Sequence, residues 1–345
     1  MGTGVDTTRM QALHVPDEHG ESHMGKQYIL GVVMLFLTAI AGTTAQAGYS
    51  NGAAYSRRDT TEALNQLKTS AENGDPRAGF WLGQLYAAGS QDVPRDLQEA
   101  AHWYRSAAEQ NHPDAQNSLG VLYSNGTGVA QDYREAFRWY QLAADQGNVL
   151  AQNNLATLYG LGRGVDRNLT EAAKWFRLAA EQGDDTARFN LGSMYLNGEG
   201  VAQSDREAFK WFLLAAGQGH ALSQNNVGSM YEDGLGVARD LGEAVKWYRA
   251  AAEQGQPNAQ SSLAAMYENG SGLPTDIVTA YALYALADAN GNPRGAEHIA
   301  RIAKSMSSRQ INAAQALSRE LREGDLLSVL DRFVQQRTAG LASAF

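Results

Sequence analysis

Histidine is the side chain most able to bind a metal or move a proton near neutral pH. Past the first fifty residues the chain has four: His102, His112, His220 and His298. They are scattered. His112 and His220 hold equivalent places three periods apart in a 36-residue pattern. If each period advances by one helix diameter, about 10 Å, the two lie roughly 30 Å apart and cannot share an ion. His102 adjoins Trp103 and reads as a surface residue. The glutamates Glu99, Glu135, Glu171, Glu207 and Glu243 are regularly spaced, whereas acid–base catalysis needs two carboxylates converging on one pocket. The loops Gly126-Thr127-Gly128, Gly198-Glu199-Gly200 and Gly234-Leu235-Gly236 have phosphate-loop composition. Each follows a helical pattern instead of a strand, and none carries the Lys-Ser/Thr tail. Cysteine is absent, which excludes a disulfide framework, a thiolate zinc site and a cysteine nucleophile. The expectation is a non-enzyme with no catalytic residue, no metal and no cofactor.

The elements that carry these residues follow from composition and periodicity. Of 345 residues, 43% are hydrophobic and 19% charged, which suits a folded chain. Only 7 prolines accompany 36 glycines, so helices joined by regular glycine turns are expected. A net charge of −9 argues against nucleic acid as a partner.

Residues 24–47 read as a secretory signal peptide. Lys26 supplies the positive start, Tyr28 to Ile40 the apolar run, and Ala45-Gln46-Ala47 the cleavage site. The apolar run is too short for a comfortable membrane span. Residues 1–23 set Arg9 against Asp6, Asp17, Glu18 and Glu21, an acidic balance that a leader does not use. They are read as an extension upstream of a start at Met24. A signal anchor is the alternative. Removing 1–47 leaves a charge of −7, with no stable membrane span. The expected location is outside the cytoplasm, with the periplasm preferred over the medium.

Trp103, Trp139, Trp175, Trp211 and Trp247 are each 36 residues apart, as are Tyr123, Tyr159, Tyr195, Tyr231 and Tyr267. A fixed period of this size means stacked repeats. Within 148–182, Ala151, Leu155, Leu158 and Tyr159 make one apolar stripe of a first helix. That helix stops at Gly160-Leu161-Gly162-Arg163-Gly164. Asn168 with Glu171 opens a second helix in a capping-box pattern, repeated at Asp96/Glu99, Asp132/Glu135, Ser204/Glu207 and Asp240/Glu243. Ala172, Trp175, Phe176 and Ala179 are its expected buried face.

The stretch AQNSLGVLYSNGTGVAQDYREAFRWYQLAADQG at 115–147, with its copies, resembles the Sel1-like repeat family, relatives of the tetratricopeptide repeats. The resemblance covers roughly 59–290. It implies an all-α fold, a right-handed α/α superhelix (solenoid) of about six helix pairs with helical caps. The expected organisation is an N-terminal capping helix at 59–73 after a linker at 48–58, repeats at 74–290, capping helices at 291–337 and a frayed tail at 338–345. The resemblance also implies a non-catalytic scaffold or adaptor that binds a protein or peptide in bacterial envelope signalling or regulation. The alternatives are a secreted effector acting on host proteins, or a cell-wall or penicillin-binding hydrolase-like protein. The last is weakened because its cysteine-rich relatives carry paired cysteines that this chain lacks.

A solenoid presents a groove lined by one helix of each pair. On the first helix, position 153 lies about 200° and position 157 about 240° from the apolar stripe at Ala151. The candidate partner-binding residues in these two columns are Phe80, Asn117, Asn153, Phe189, Asn225 and Ser261, then Thr157, Ser193 and Ser229. Amides and hydroxyls can hold a peptide backbone. Phe80 and Phe189 stand out as aromatics expected on a polar face. Asn154, Asn190 and Asn226, in the adjoining column, are expected to bond the neighbouring repeat's loop. Partner identity and oligomeric state are left open.

Overall fold

The computed structural model describes residues 57–90 and 93–342. The readings of 1–23 and 24–47, and nearly all of the 48–58 linker, lie outside the described residues. Among the described residues there are sixteen helices and no strand. They divide into two compact units, one ending at Gln182 and the other beginning at Gly183.

The N-terminal unit holds a capping helix, α1 (Arg57–Glu72), and three hairpins. These are α2 (Pro76–Ala88) with α3 (Leu97–Glu109), α4 (Pro113–Asn125) with α5 (Tyr133–Asp145), and α6 (Val149–Leu161) with α7 (Leu169–Glu181). The C-terminal unit holds three more: α8 (Asp185–Asn197) with α9 (Asp205–Ala216), α10 (Ala221–Asp233) with α11 (Leu241–Glu253), and α12 (Pro257–Asn269) with α13 (Ile277–Ala289). Three further helices follow: α14 (Gly295–Ala303), α15 (Ser308–Glu323) and α16 (Leu326–Ala342). The expected tail is therefore helical up to Ala342, and 343–345 lie outside the described residues.

Local chemistry sets the helix ends. Each second helix opens on the side chain of Asp96, Asp132, Asn168, Ser204, Asp240 or Asp276, which accepts backbone N–H groups of the first turn. The glutamate three residues on does not complete a reciprocal box. In four of the hairpins it reaches forward to a cation instead, as in Glu171 with Lys174 at 2.6 Å and Glu135 with Arg138 at 3.5 Å. The reciprocal box is formed at Ser307 and Gln310. The Gly-x-Gly turn after α6 has two jobs, one for Gly162 and one for Gly164. Gly162, at φ +67°, takes the left-handed geometry that ends α6. A Cβ on Gly164 would fall 2.1 Å from the Tyr133 carbonyl oxygen at the start of α5, so only glycine lets the two repeats approach.

The second helices bury small and aromatic side chains. Ala172, Ala173, Phe176, Ala179 and Ala180 form the buried face of α7. Trp139 and Trp211 are buried, while Trp175 is half-buried, so the tryptophan column is core in only some repeats. A glutamine relay ties hairpin to hairpin. Gln182 donates to Gln152 at 2.8 Å, and Gln152 donates to the Ala144 carbonyl at the end of α5. Gln146, Gln116 and Ala108 repeat it, as do Gln254, Gln224 and Ala216. The relay adds a side-chain donor to carbonyls near a helix C-terminus, as at Ala144, which also accepts the Gly147 N–H at 2.9 Å.

Helix α14 occupies the place of a seventh first helix: Ile299 and Ile302 fall 36 residues beyond Leu263 and Met266. Together with α15 and α16 it closes the open end. Leu283 and Leu286 pack there in one cluster with Ile302, Leu317, Leu321 and Leu330.

Candidate functional site: the first-helix face

Seven of the nine candidate residues are buried: Asn117, Asn153, Thr157, Phe189, Ser193, Asn225 and Ser229. Phe80 and Ser261 are half-buried. The expectation that these columns form an open contact surface is corrected. The physical reason is that a first helix is enclosed on more than one side. Its own second helix packs against it on one side, and within each unit the second helix of the preceding hairpin packs against it on another. Asn154 on α6 donates to Asn117 on α4 at 3.0 Å, so this amide joins first helix to first helix and does not reach a loop. The hydroxyls are spent inside their own helices. Thr157 donates to the Asn153 carbonyl and Ser193 to the Phe189 carbonyl, each at 3.0 Å.

Phe189 is only 1% exposed, so no aromatic patch is presented there. Its ring packs 5.8 Å from Phe212 and 5.1 Å from His220. Phe80 stacks on His112 at 4.9 Å. These histidines are helix caps. His112 Nδ1 accepts the Ala115 N–H, and His220 Nδ1 accepts the Ser223 N–H. Asp75, Asn148, Asp184 and Gln256 fill the same role in the other first helices. Burial pushes the His112 pKa down, which keeps Nδ1 free to accept. The sequence carried a signal for this pairing. The two first helices with Phe in the 153 column are the two that are followed by a capping His.

The face opens at the last hairpin. A cavity of about 470 Å³ is lined on α12 by Asn258, Ser261 and Ser262, and opposite by Asn292, Arg294 and His298. Ser261 is the one candidate residue that the structure places in it. Asn292 Nδ2 donates to Asn258 at 3.0 Å across the floor. His298 stacks on Tyr284 at 4.6 Å, and its Nδ1 is buried with no partner. Burial, with Arg301 and Arg294 adding to it, holds His298 below the ordinary imidazole value. Behind it Arg301 pairs with Glu268, which also accepts from the Tyr284 hydroxyl at 3.0 Å. Glu268 is held below the usual carboxylate range by Arg301. The cavity was missed from sequence because Asn292, Arg294 and His298 belong to the irregular segment after the last repeat.

Among the described residues no group of three or more His, Asp or Glu side chains is placed to hold a metal ion. No described helix is long and apolar enough to cross a membrane.

Six helical hairpins, three in each unit and capped alike, define an α/α repeat scaffold. A family model, the Sel1 repeat, matches at 76–112, 113–148, 149–184, 186–220, 221–256 and 257–292, and the chain belongs to that family. The chain is similar to the solved structure of c5321, described as a protective antigen present in uropathogenic Escherichia coli strains and displaying an SLR fold. The identity is 37% and the TM-score 0.67, over 76% of this chain and 56% of that one. The chain thus spans a little over half of c5321. A Sel1 repeat protein from Oxalobacter formigenes is 31% identical, with a TM-score of 0.59, over 66% of this chain and 90% of that one. None of the curated proteins matches the chain.

Proposed function

We propose that the protein is an exported, non-catalytic adaptor, working in the periplasm, that binds an extended segment of a partner protein in envelope signalling or regulation. Sel1 repeats are a general protein-interaction scaffold, and that is the coarse function of this fold. The observation that carries the finer reading is the cavity beside α12. Its size falls within the roughly 300–1,000 Å³ of binding pockets. It offers two hydroxyls, two amides, a guanidinium and an imidazole, a set suited to peptide carbonyls and a partner carboxylate. The export reading rests on the leader pattern at 24–47.

Two experiments test these halves separately. In-cell crosslinking followed by mass spectrometry identifies the partner, and Ser261→Trp then fills the cavity. The expected result is loss of the crosslinked partner with an unchanged melting temperature. Retention of the partner by Ser261→Trp removes the cavity from the proposal. Fractionation of the native cell tests location: the processed chain is expected in the periplasm. Recovery in the medium or in host cytosol overturns that location.

A further inference from the structure

Helix α16 turns back along the second helices. Its apolar side chains Leu326, Val329 and Leu330 are buried, and Phe333 packs beside them, at the i, i+3, i+4, i+7 spacing of one helix face. Two polar ties hold it. Glu253 on α11 accepts the Leu327 N–H at 3.0 Å, filling a donor that the first turn of α16 leaves open. Arg249, one turn earlier on α11, donates to Asp331 at 2.5 Å. Tyr267 and Leu286 complete the bed, at 3% and 5% exposure. The groove between two second helices is therefore a seat for an amphipathic helix, and here it is occupied.

Four repeats earlier the same four side chains recur. Arg105, Glu109, Tyr123 and Leu142 lie 144 residues before Arg249, Glu253, Tyr267 and Leu286, identical at every place. All four belong to the N-terminal unit. Among the described residues no helix lies over them. Leu142 is 39% exposed, Glu109 is exposed, and Arg105 and Tyr123 are half-exposed. Arg105 donates to the Tyr123 hydroxyl at 2.7 Å, which holds the guanidinium in place beside the ring. In the C-terminal unit, α9 to α11 carry Leu213, Gly217, Tyr231 and Ala250 at these positions and so lack both charged ties, whereas Arg177, Glu181, Tyr195 and Leu214 repeat the four residue types once more in the sequence.

We propose that the groove of Arg105, Glu109, Tyr123 and Leu142 binds an amphipathic helix from a partner protein that has the chemistry of α16. Such a helix presents apolar residues at i, i+3, i+4 and i+7, a carboxylate at i+5, and an open N-terminal turn. Arg105 takes the carboxylate, Glu109 takes a first-turn N–H, and Tyr123 and Leu142 cover the apolar stripe. A second copy is a poorer occupant, because its own α16 is already seated. The surface is distinct from the α12 cavity, so either can fail without the other.

The probe is a fluorescent peptide of residues 324–342 titrated into the full chain. The expected result is saturable binding that Arg105→Glu and Leu142→Asp each weaken at least tenfold, while Arg249→Glu does not. An Asp331→Arg peptide is expected to recover binding on the Arg105→Glu chain. No binding, or binding indifferent to Arg105→Glu and Leu142→Asp, overturns the proposal. Loss on Arg249→Glu alone also overturns it, because the peptide then only exchanges with α16. A dimer of the full chain that Arg105→Glu dissolves assigns the groove to a second copy and overturns the choice of partner.

Discussion

The two helices of each hairpin solve the burial problem in different ways. The second helices bury alanine and aromatic side chains and leave charges outside, as α7 does with Ala172, Phe176 and Ala179. The first helices bury amides and hydroxyls as well, as α6 does with Gln152, Asn153 and Thr157. A second helix is held mainly by removal of apolar area from water. A first helix is held in addition by buried polar contacts such as the Gln152 relay, while the Oδ1 atoms of Asn153 and Asn225 are buried without a partner. The difference shows that a polar column on a repeat helix is not by itself a binding face.

Substitutions separate the two kinds of support. Phe176→Ala on α7 removes a fully buried ring and is expected to cost about 3–5 kcal/mol in denaturant unfolding. Gln152→Ala on α6 deletes little apolar area. It removes one of the hydrogen bonds to the Ala144 carbonyl and the 2.8 Å acceptor of the Gln182 amide, so a loss of about 1–2 kcal/mol is expected. A loss within a few tenths of zero would mean that water replaces the relay and that these polar contacts add nothing. Asp132→Ala removes the cap of α5 and is expected to cost about 1 kcal/mol, read in the same unfolding assay.

Acid is expected to act on the first helices through their histidine cap. Burial lowers the His112 pKa, so the folded state binds the proton less well than the unfolded chain. The cap's contribution is whole above the unfolded value near 6.5 and is lost as pH falls through the lowered folded value. Denaturant melts across that window are expected to show a smaller fall for His112→Asn, because an amide caps at every pH. The smallest effect belongs to the exposed charges on the second helices. Lys174→Ala breaks the pair with Glu171 and is expected to leave the melting temperature unchanged.

Much of the fold was legible in the chain. The turn glycines, the polar caps and the tryptophan and tyrosine columns marked the series of helical hairpins. Each of those signals is a short-range property of one helix and its ends. The candidate face was misread because a helical wheel assigns one buried side, while a first helix here has neighbours on several. Phe189 looked exposed on the wheel and is interior because the cap of the next hairpin, His220, sits on it. Ser261 reaches a cavity only because α14 stands opposite, in a segment where the period has faded.

The sequence by itself determined the repeat length, the ends of the helices and their pairing into hairpins, since caps, glycine geometry and apolar spacing act within some forty residues. Tertiary structure alone decided which polar side chains became interior and where a cavity and a helix-binding groove were left. Those outcomes depend on what lies across from a side chain in space, and that neighbour is set by stacking and by the closing helices.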